Sequence, residues 1–401
     1  MRGSNLDRVR RGNLATVLGL VHRGGALSRA EITRTTGLSR STVAALIAEL
    51  TDLGFVLESG PGATAKVGRP SPLVHPDPGC VAITVNPELD AVTVGVVSLG
   101  GKVRTRVRNE VGHPVTAAET VEIVVGDLAD LAPELASSRV AGIGVAVPGL
   151  VREGDGVVRW APHLGWREEP IAAALHRATG HAAFAANDAS LGALAEHIFG
   201  AGVGVRDLVY LNGGASGIGG GVITGGAPLG GVGGYAGEFG RTRPGVRDPA
   251  DRAVADGTLE DEVGRARLLA LLGLDSADQV ELSAALAASA DRAVRAELAR
   301  QARVLSVAVS NAVNVLDPEM VVLGGFLADV LRADPEGFTG LVRDQSVGPA
   351  SEGVRIVPAA LGADLLMIGA GQLALHRLLA DPAAIRDRSG VNGPPAPDRG
   401  A

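Results

Sequence analysis

Apolar residues recur every three to four positions through Leu14, Val17, Leu18 and Val21, and again through Val43, Leu46, Ile47 and Leu50. That spacing lines one face of a helix. Between the two stripes, "LSRAEITRTTG" opens on Ser28 with Glu31 three residues on, a capping box, and closes on Gly37, which suits a left-handed helix end. Ser39 then caps a third helix. The pattern predicts three helices, the last two joined by a short glycine turn, which is the helix-turn-helix layout.

Turning the third apolar stripe inward leaves Ser41, Ala45 and Ala48 on the opposite face, with Thr42 and Ala44 beside it. Small residues let a helix sit deep in the major groove, where hydroxyls bond base edges and alanine meets a thymine methyl. Arg40, at the helix start, suits a phosphate; Arg29 and Ser39 complete the candidate contacts on the helices. Residues 55–74 predict two short strands around a glycine-rich tip, a wing, which would carry Lys66 and Arg69 toward a minor groove. Three helices also make protein-interaction domains, but capping box, turn glycine, small exposed face and basic wing agree on DNA. Four prolines in "PSPLVHPDPG" predict a linker.

From residue 80 the pattern changes to apolar strand, turn, strand, then helix. Residues 81–107 predict a pair of strands with a third following. "VAGIGVAVPGLV" (140–151), "DLVYLNGGASGIGGGVI" (207–223) and "PEMVVLGGFLADV" (318–330) each predict a strand running into a glycine turn, and residues 284–316 a long helix. Two α/β lobes with glycine turns facing one another would leave a cleft for a small ligand.

Charge sharpens this division. Residues 1–75 hold ten basic against five acidic side chains, which leaves 27 basic against 39 acidic for the rest. A basic front on an acidic body suits nucleic acid at the front and another ligand behind. No uninterrupted apolar run is long enough for a membrane helix, and the charged start "MRGSNLDRVRRGN" lacks a secretory pattern, so a cytoplasmic protein is expected. One cysteine, Cys80, supports neither an internal disulfide nor a cysteine-based zinc site.

The ordered set "GIGVAVPGLV" (142–151), "APHLGW" (161–166), "NDAS" (187–190), "GIGGGVITGGAPLGGVGGYAGEFG" (217–240), "GTLE" (257–260), "VLGG" (322–325) and "GADLLMIGAG" (362–371) resembles the ROK family of repressors and sugar kinases. The resemblance implies an α/β chain: a winged helix-turn-helix over 1–74, a linker over 75–80, and a two-lobed actin-like, ribonuclease H-like sugar-kinase domain over 81–388. The tail, 389–401, has no apolar pattern and is expected to be disordered. It also implies that Asn187, Asp188, Glu238 and Glu260 bond sugar hydroxyls, with Asp188 at the family's general-base position. Asp188 also reads as a helix cap, and Glu238 and Glu260 as loop acids. Gly217, Gly219 and Gly220 stand where a nucleotide site would remain.

Two departures change the expected activity. The family's kinases carry Asp-x-Gly-Gly-Thr on the first hairpin, whereas "ITVNPELDA" places Thr84 at the acid position with no glycine pair after it, and Asp90 does not restore the motif. Without close backbone approach and that acid, a phosphate–metal site is incomplete, so kinase activity is expected to be lost. Arg241 replaces the family histidine, and residues 242–259 contain neither Cys nor His, so neither structural zinc nor any other cofactor is expected. Arg241 fits either an anionic sugar or an ion pair with a nearby acid.

The expected protein is a transcriptional repressor of carbohydrate metabolism, a homodimer or homotetramer on a double-stranded DNA operator, answering to a sugar or sugar phosphate. The alternatives are an active ROK sugar kinase with an appended DNA-binding domain, and a regulator whose body senses a transporter protein.

Overall fold

The computed structural model describes residues 2–60, 72–246 and 248–385. The head consists of α1 (Arg2–Gly24), β1 (Leu27–Ser28), α2 (Arg29–Thr36), α3 (Arg40–Asp52) and the wing strands β2 (Val56–Ser59) and β3 (Leu73–Pro76). The strands form one antiparallel sheet in the order β1-β3-β2. The local signals in the sequence set these boundaries. Glu31 accepts the Ser28 N–H at 2.8 Å while Ser28 accepts the Glu31 N–H, Gly37 ends α2 at φ 68°, and Ser39 accepts the Thr42 N–H at 3.2 Å. Every apolar residue of the two predicted stripes is buried.

The linker expected over 75–80 is a correction. His75 and Pro76 complete β3, and Cys80 already opens the first strand of the body, so only Asp77–Gly79 turn between them. The Asp77 N–H donates to Phe55 O at 2.9 Å, and its carboxylate accepts the Gly79 N–H at 2.7 Å. Pro76 takes the last strand position, where a missing N–H costs little. The prolines here shape a tight joint, and the head ends at 76 rather than 74.

The first lobe runs β4 (Cys80–Pro87), β5 (Ala91–Ser98), β6 (Val103–Glu110), α4 (Ala117–Asp130), α5 (Ala132–Leu135) and β7 (Arg139–Val147). A small sheet follows, made of β8 (Leu150–Val151), β9 (Val158–Ala161) and β10 (Trp166–Glu169), then α6 (Ile171–Thr179) and β11 (Ala183–Asn187). After α7 (Asp188–Phe199), the second lobe runs β12 (Leu208–Gly214), β13 (Gly217–Thr224), β14 (Ala227–Pro228), α8 (Leu259–Glu262), α9 (Arg265–Leu272), α10 (Gln279–Ala288) and α11 (Arg292–Leu316). It closes with β15 (Met320–Gly325), α12 (Phe326–Ala333), α13 (Pro335–Gln345), α14 (Gly348–Glu352), β16 (Arg355–Pro358) and α15 (Leu365–Ala380).

The main sheets have orders β11-β7-β4-β5-β6 and β14-β13-β12-β15-β16. In both, the first three strands form an antiparallel meander, and the fourth and fifth add in parallel beyond the first. The lobes are therefore two copies of one topology. The single long helix expected over 284–316 is in fact two, because Asp291 accepts the Ala293 N–H at 2.7 Å and starts α11 afresh.

Helices α7 and α15 lie between the sheets and pack on each other, α15 against β4 and β7, α7 against β12 and β13. Glycine permits this closeness. A Cβ on Gly144 would collide with the Ala370 carbonyl, and one on Gly221 would lie 2.6 Å from the Ala193 methyl. The end of α15 also enters the head: Leu375 and Leu378 share one buried cluster with Leu14, Leu18, Leu50 and Phe55. Among the described residues, no helix is long and apolar enough to cross a membrane.

Candidate functional site

On the head, the expected DNA face is open. Ser39, Arg40, Ser41, Ala45 and Ala48 are exposed and Thr42 is half-buried. The Ser39 hydroxyl lies 2.9 Å from that of Ser41 and 2.8 Å from that of Thr42, so α3 begins with a cluster of three hydroxyls. Arg40 has no ion-pair partner among the described residues. Arg29, by contrast, is not free: its guanidinium forks onto Glu58 at 2.7 and 2.5 Å and braces α2 against β2. Lys66 and Arg69 lie outside the described residues.

Head and body meet at His22, which is 2 % exposed. Its Nδ1 accepts the Gly100 N–H at 2.9 Å, so Nε2 carries the proton and donates it to Gln372 Oε1 at 2.8 Å. The Phe199 ring packs edge-on against the imidazole, 5.2 Å between centres. Burial above all, with a small push from Arg23 and against the Gln372 bond, lowers the His22 pKa to about 4. Arg139, at the start of β7, adds a bond to the Leu53 carbonyl and stacks 5.2 Å over Phe55. The sequence pattern found the α1 stripe but missed His22, whose partner lies 350 positions away.

The cleft forms where β7 and β11 end and α7 begins, a place where α/β sheets hold ligands. Asn187 caps α7, accepting the Ser190 N–H at 2.9 Å and donating to Gly149 O at 3.0 Å. The cap expected of Asp188 therefore belongs to its neighbour. Asp188 accepts the Ala189 N–H at 2.8 Å. Burial raises its carboxyl to about 6, two backbone bonds oppose this, and Glu238 across the cleft adds to it. The Glu238 carboxyl is itself raised, first by loss of water, with Arg241 pulling it down and Glu260 pushing it up.

Arg241 Nη1 pairs with Glu260 Oε1 at 3.0 Å, the ion pair that one of the two sequence readings anticipates. The other Glu260 oxygen accepts the Ile218 N–H at 3.3 Å, tying the loop to the start of β13. Glu238 thus lies within electrostatic reach of Asp188, Arg241 and Glu260, and Asn187 precedes Asp188 in the chain. The glycines of β13 are occupied by packing. A Cβ on Gly217 would meet Glu260 Oε2 at 2.5 Å, on Gly219 the Ala189 methyl at 2.7 Å, and on Gly220 the Phe239 ring at 2.5 Å. Thr84, at the place expected for a phosphate-loop acid, is fully buried in mid-β4 and donates to Met367 Sδ at 3.1 Å. Asn86 and Pro87 are paired in the β4–β5 ladder, so no glycine loop opens there.

Comparison with known proteins agrees with both halves. The ROK family model matches residues 89–377 and a MarR family model residues 15–63. A xylose repressor from Caldicellulosiruptor bescii is 28% identical over 335 residues, 78% of this chain and 82% of that one. A glucokinase from Halalkalibacterium halodurans is 28% identical over 59% of this chain and 76% of that one. Among solved structures, a ROK family transcriptional regulator homologous to the E. coli MLC protein superposes at a TM-score of 0.74 with 21% identity, over 94% of this chain and 98% of that one. A Streptomyces griseus ROK glucokinase with bound glucose and AMPPNP superposes at 0.60 with 24% identity, covering 74% and 99%. The regulator match thus spans more of this chain than the glucokinase matches do. With a MarR-type winged helix in front of a two-lobed sugar-kinase-like body, the chain belongs to the ROK family.

Proposed function

We propose that this chain is a DNA-binding transcriptional repressor whose operator affinity is set by a saccharide in the cleft. The observation that carries the reading is the course of α7. It begins at Asp188 in the cleft and ends at Phe199 against His22 of the head. A ligand that favours one packing of α7 thereby has a physical route to α1, and only such a difference in affinity can shift DNA binding.

In this reading α3 enters the major groove with Ser41, Thr42 and Ala45 toward the bases, Ser39 and Arg40 toward the backbone, and Lys66 and Arg69 reach from the wing. Two heads of a homodimer or homotetramer meet an inverted repeat. Asn187, Asp188, Glu238 and Glu260 accept sugar hydroxyls, and Arg241 holds Glu260 in place. Relatives named xylose repressors make D-xylose the first effector to try. The burial of Thr84 against Met367 supports a body that transfers no phosphoryl group.

The test is binding to an operator fragment enriched from random DNA, with and without D-xylose, D-glucose and their phosphates. One saccharide should release the DNA and also stabilise the protein, by about 2.7 kcal/mol at a hundred times its dissociation constant. Glu238→Ala should lose both effects. No change in DNA affinity or melting with any saccharide would overturn the effector assignment. The kinase reading keeps one favourable observation, since a carboxyl raised to about 6 suits a general base. MgATP-dependent phosphorylation abolished by Asp188→Asn would establish it.

A further inference from the structure

The chain has two tryptophans and two tyrosines. Trp166 and Tyr210 are sealed in the core, Trp166 donating its indole N–H to Val115 O at 2.8 Å. The other two, Trp160 and Tyr235, converge on one cavity of about 440 Å³, which Leu150, Arg159, Arg167 and Glu168 also line. Trp160 is 41% exposed, a large apolar surface left to water in a chain with few aromatic rings.

The backbone presents these groups deliberately. Trp160 stands opposite Arg167 in the β9–β10 ladder and is exposed, whereas Val158 and Ala161 at the two ends of the same strand are buried. Glu168 holds φ 55°, a left-handed conformation disfavoured for a residue with a Cβ, and pairs with Arg159 across the hairpin. Tyr235 sits in a glycine loop laid flat on β8. Gly233 O accepts the Glu153 N–H at 3.3 Å, and a Cβ on Gly234 would press on Val151 O at 3.2 Å. Arg167 has no ion-pair partner among the described residues.

The cavity adjoins the carboxylate cleft. The Arg241 guanidinium lies 5.9 Å from the centre of the Trp160 ring and pairs with Glu260 at 3.0 Å. Leu150 follows Gly149, whose carbonyl takes the Asn187 amide. Exposed aromatic faces suit the C–H faces of a sugar ring, while guanidinium and carboxylate groups supply donors and acceptors for its hydroxyls. The volume falls within the ~300–1,000 Å³ of small-molecule sites.

We propose that this cavity is a second saccharide subsite, so that the effector is a glycoside of at least two rings. One ring is held by Asn187, Asp188, Glu238 and Glu260. The next stacks on Trp160 and Tyr235, with Arg167 bonded to its hydroxyls. The inference rests on the saccharide-effector reading above and specifies the size of that effector.

Calorimetric titration of the full chain with xylose, glucose, xylobiose and cellobiose tests it. One disaccharide should bind about tenfold tighter than its own monosaccharide. Trp160→Ala should weaken the disaccharide far more than the monosaccharide and so remove that advantage, and Tyr235→Ala should do the same. Because Trp166 is buried, the wild-type emission change on disaccharide binding should vanish in Trp160→Phe. Equal affinities for one ring and two, or equal losses for both in Trp160→Ala, would overturn the second subsite alone. Failure of every saccharide to bind the wild type would overturn the effector reading and this one with it.

Discussion

Acidification should loosen the joint between head and body through His22. The imidazole is 2 % exposed, and its one free lone pair already accepts the Gly100 N–H, so a second proton must break that bond. Burial lowers the folded-state pKa from the ordinary 6.5 to about 4. Below pH 6.5 the unfolded chain therefore takes up a proton that the folded chain refuses until about pH 4. Stability present above 6.5 is lost progressively as the pH falls toward 4, at 1.36 kcal/mol per pH unit, or ~3 kcal/mol over the interval. Asp188 acts with the opposite sign. Its carboxyl is raised from 3.8 to about 6, so the folded state takes up the proton first and gains stability as the pH falls from 6 to 3.8. Between about 4 and 6 the two slopes oppose one another, and the wild type alone would show little from either.

His22→Gln keeps a polar side chain and removes the titration. Urea unfolding of both proteins in half-unit steps from pH 7 to about pH 4.5 gives the difference in stability, which cancels every other titrating group. Wild type should lose about 1.4 kcal/mol per pH unit relative to His22→Gln below pH 6.5. Asp188→Asn should tilt the other way. Parallel curves for wild type and His22→Gln would refute the reasoning, because they would mean that His22 titrates alike in the folded and unfolded chain.

Two further outcomes follow from packing. Gly144→Ala drives a methyl into the Ala370 carbonyl, where strand and helix backbones both resist movement; it should lower stability by ~3 kcal/mol or more, read as a fall in melting temperature or loss of soluble protein. Cys80 is fully buried and its thiol is pushed up to about 12, mainly by that burial. At pH 8 a thiol reagent should leave the native protein unlabelled and modify one group per chain in urea; rapid native labelling would contradict the burial.

What the sequence discloses here depends on range. The head's helices are written in local chemistry, with Ser28 and Glu31 three residues apart and Gly37 at the turn, and the structure has each in its expected role. The body's two lobes were legible because the strands β7, β12 and β15 run into glycine turns and the motif order is distinctive. Contests between neighbours were not: Asn187 and Asp188 can both cap a helix, and which of them does so depends on Gly149, 38 positions away. The proline run at 70–79 looked like a spacer because composition cannot show that Leu73–Pro76 pairs with Val56–Ser59. Trp160 carried no signal either, since the choice of outer tryptophan was made by the β9–β10 hairpin. The break before α11 was readable in Asp291, though the apolar period on either side hid it.

The contribution of α15 to the head has a consequence for how the protein is made. The cluster around Leu14 and Leu50 is completed by Leu375 and Leu378, and Arg11 pairs with Asp381 at 3.1 Å. On the ribosome, that covering helix emerges more than three hundred residues after α3. At 5–20 residues per second, the head waits roughly 15–60 s with one apolar side bare. A chain interrupted before α15 would carry α3 on an unfinished core. In the proposed reading, a chain that lacks α15 would hold α3 less firmly for DNA than one whose cleft is complete.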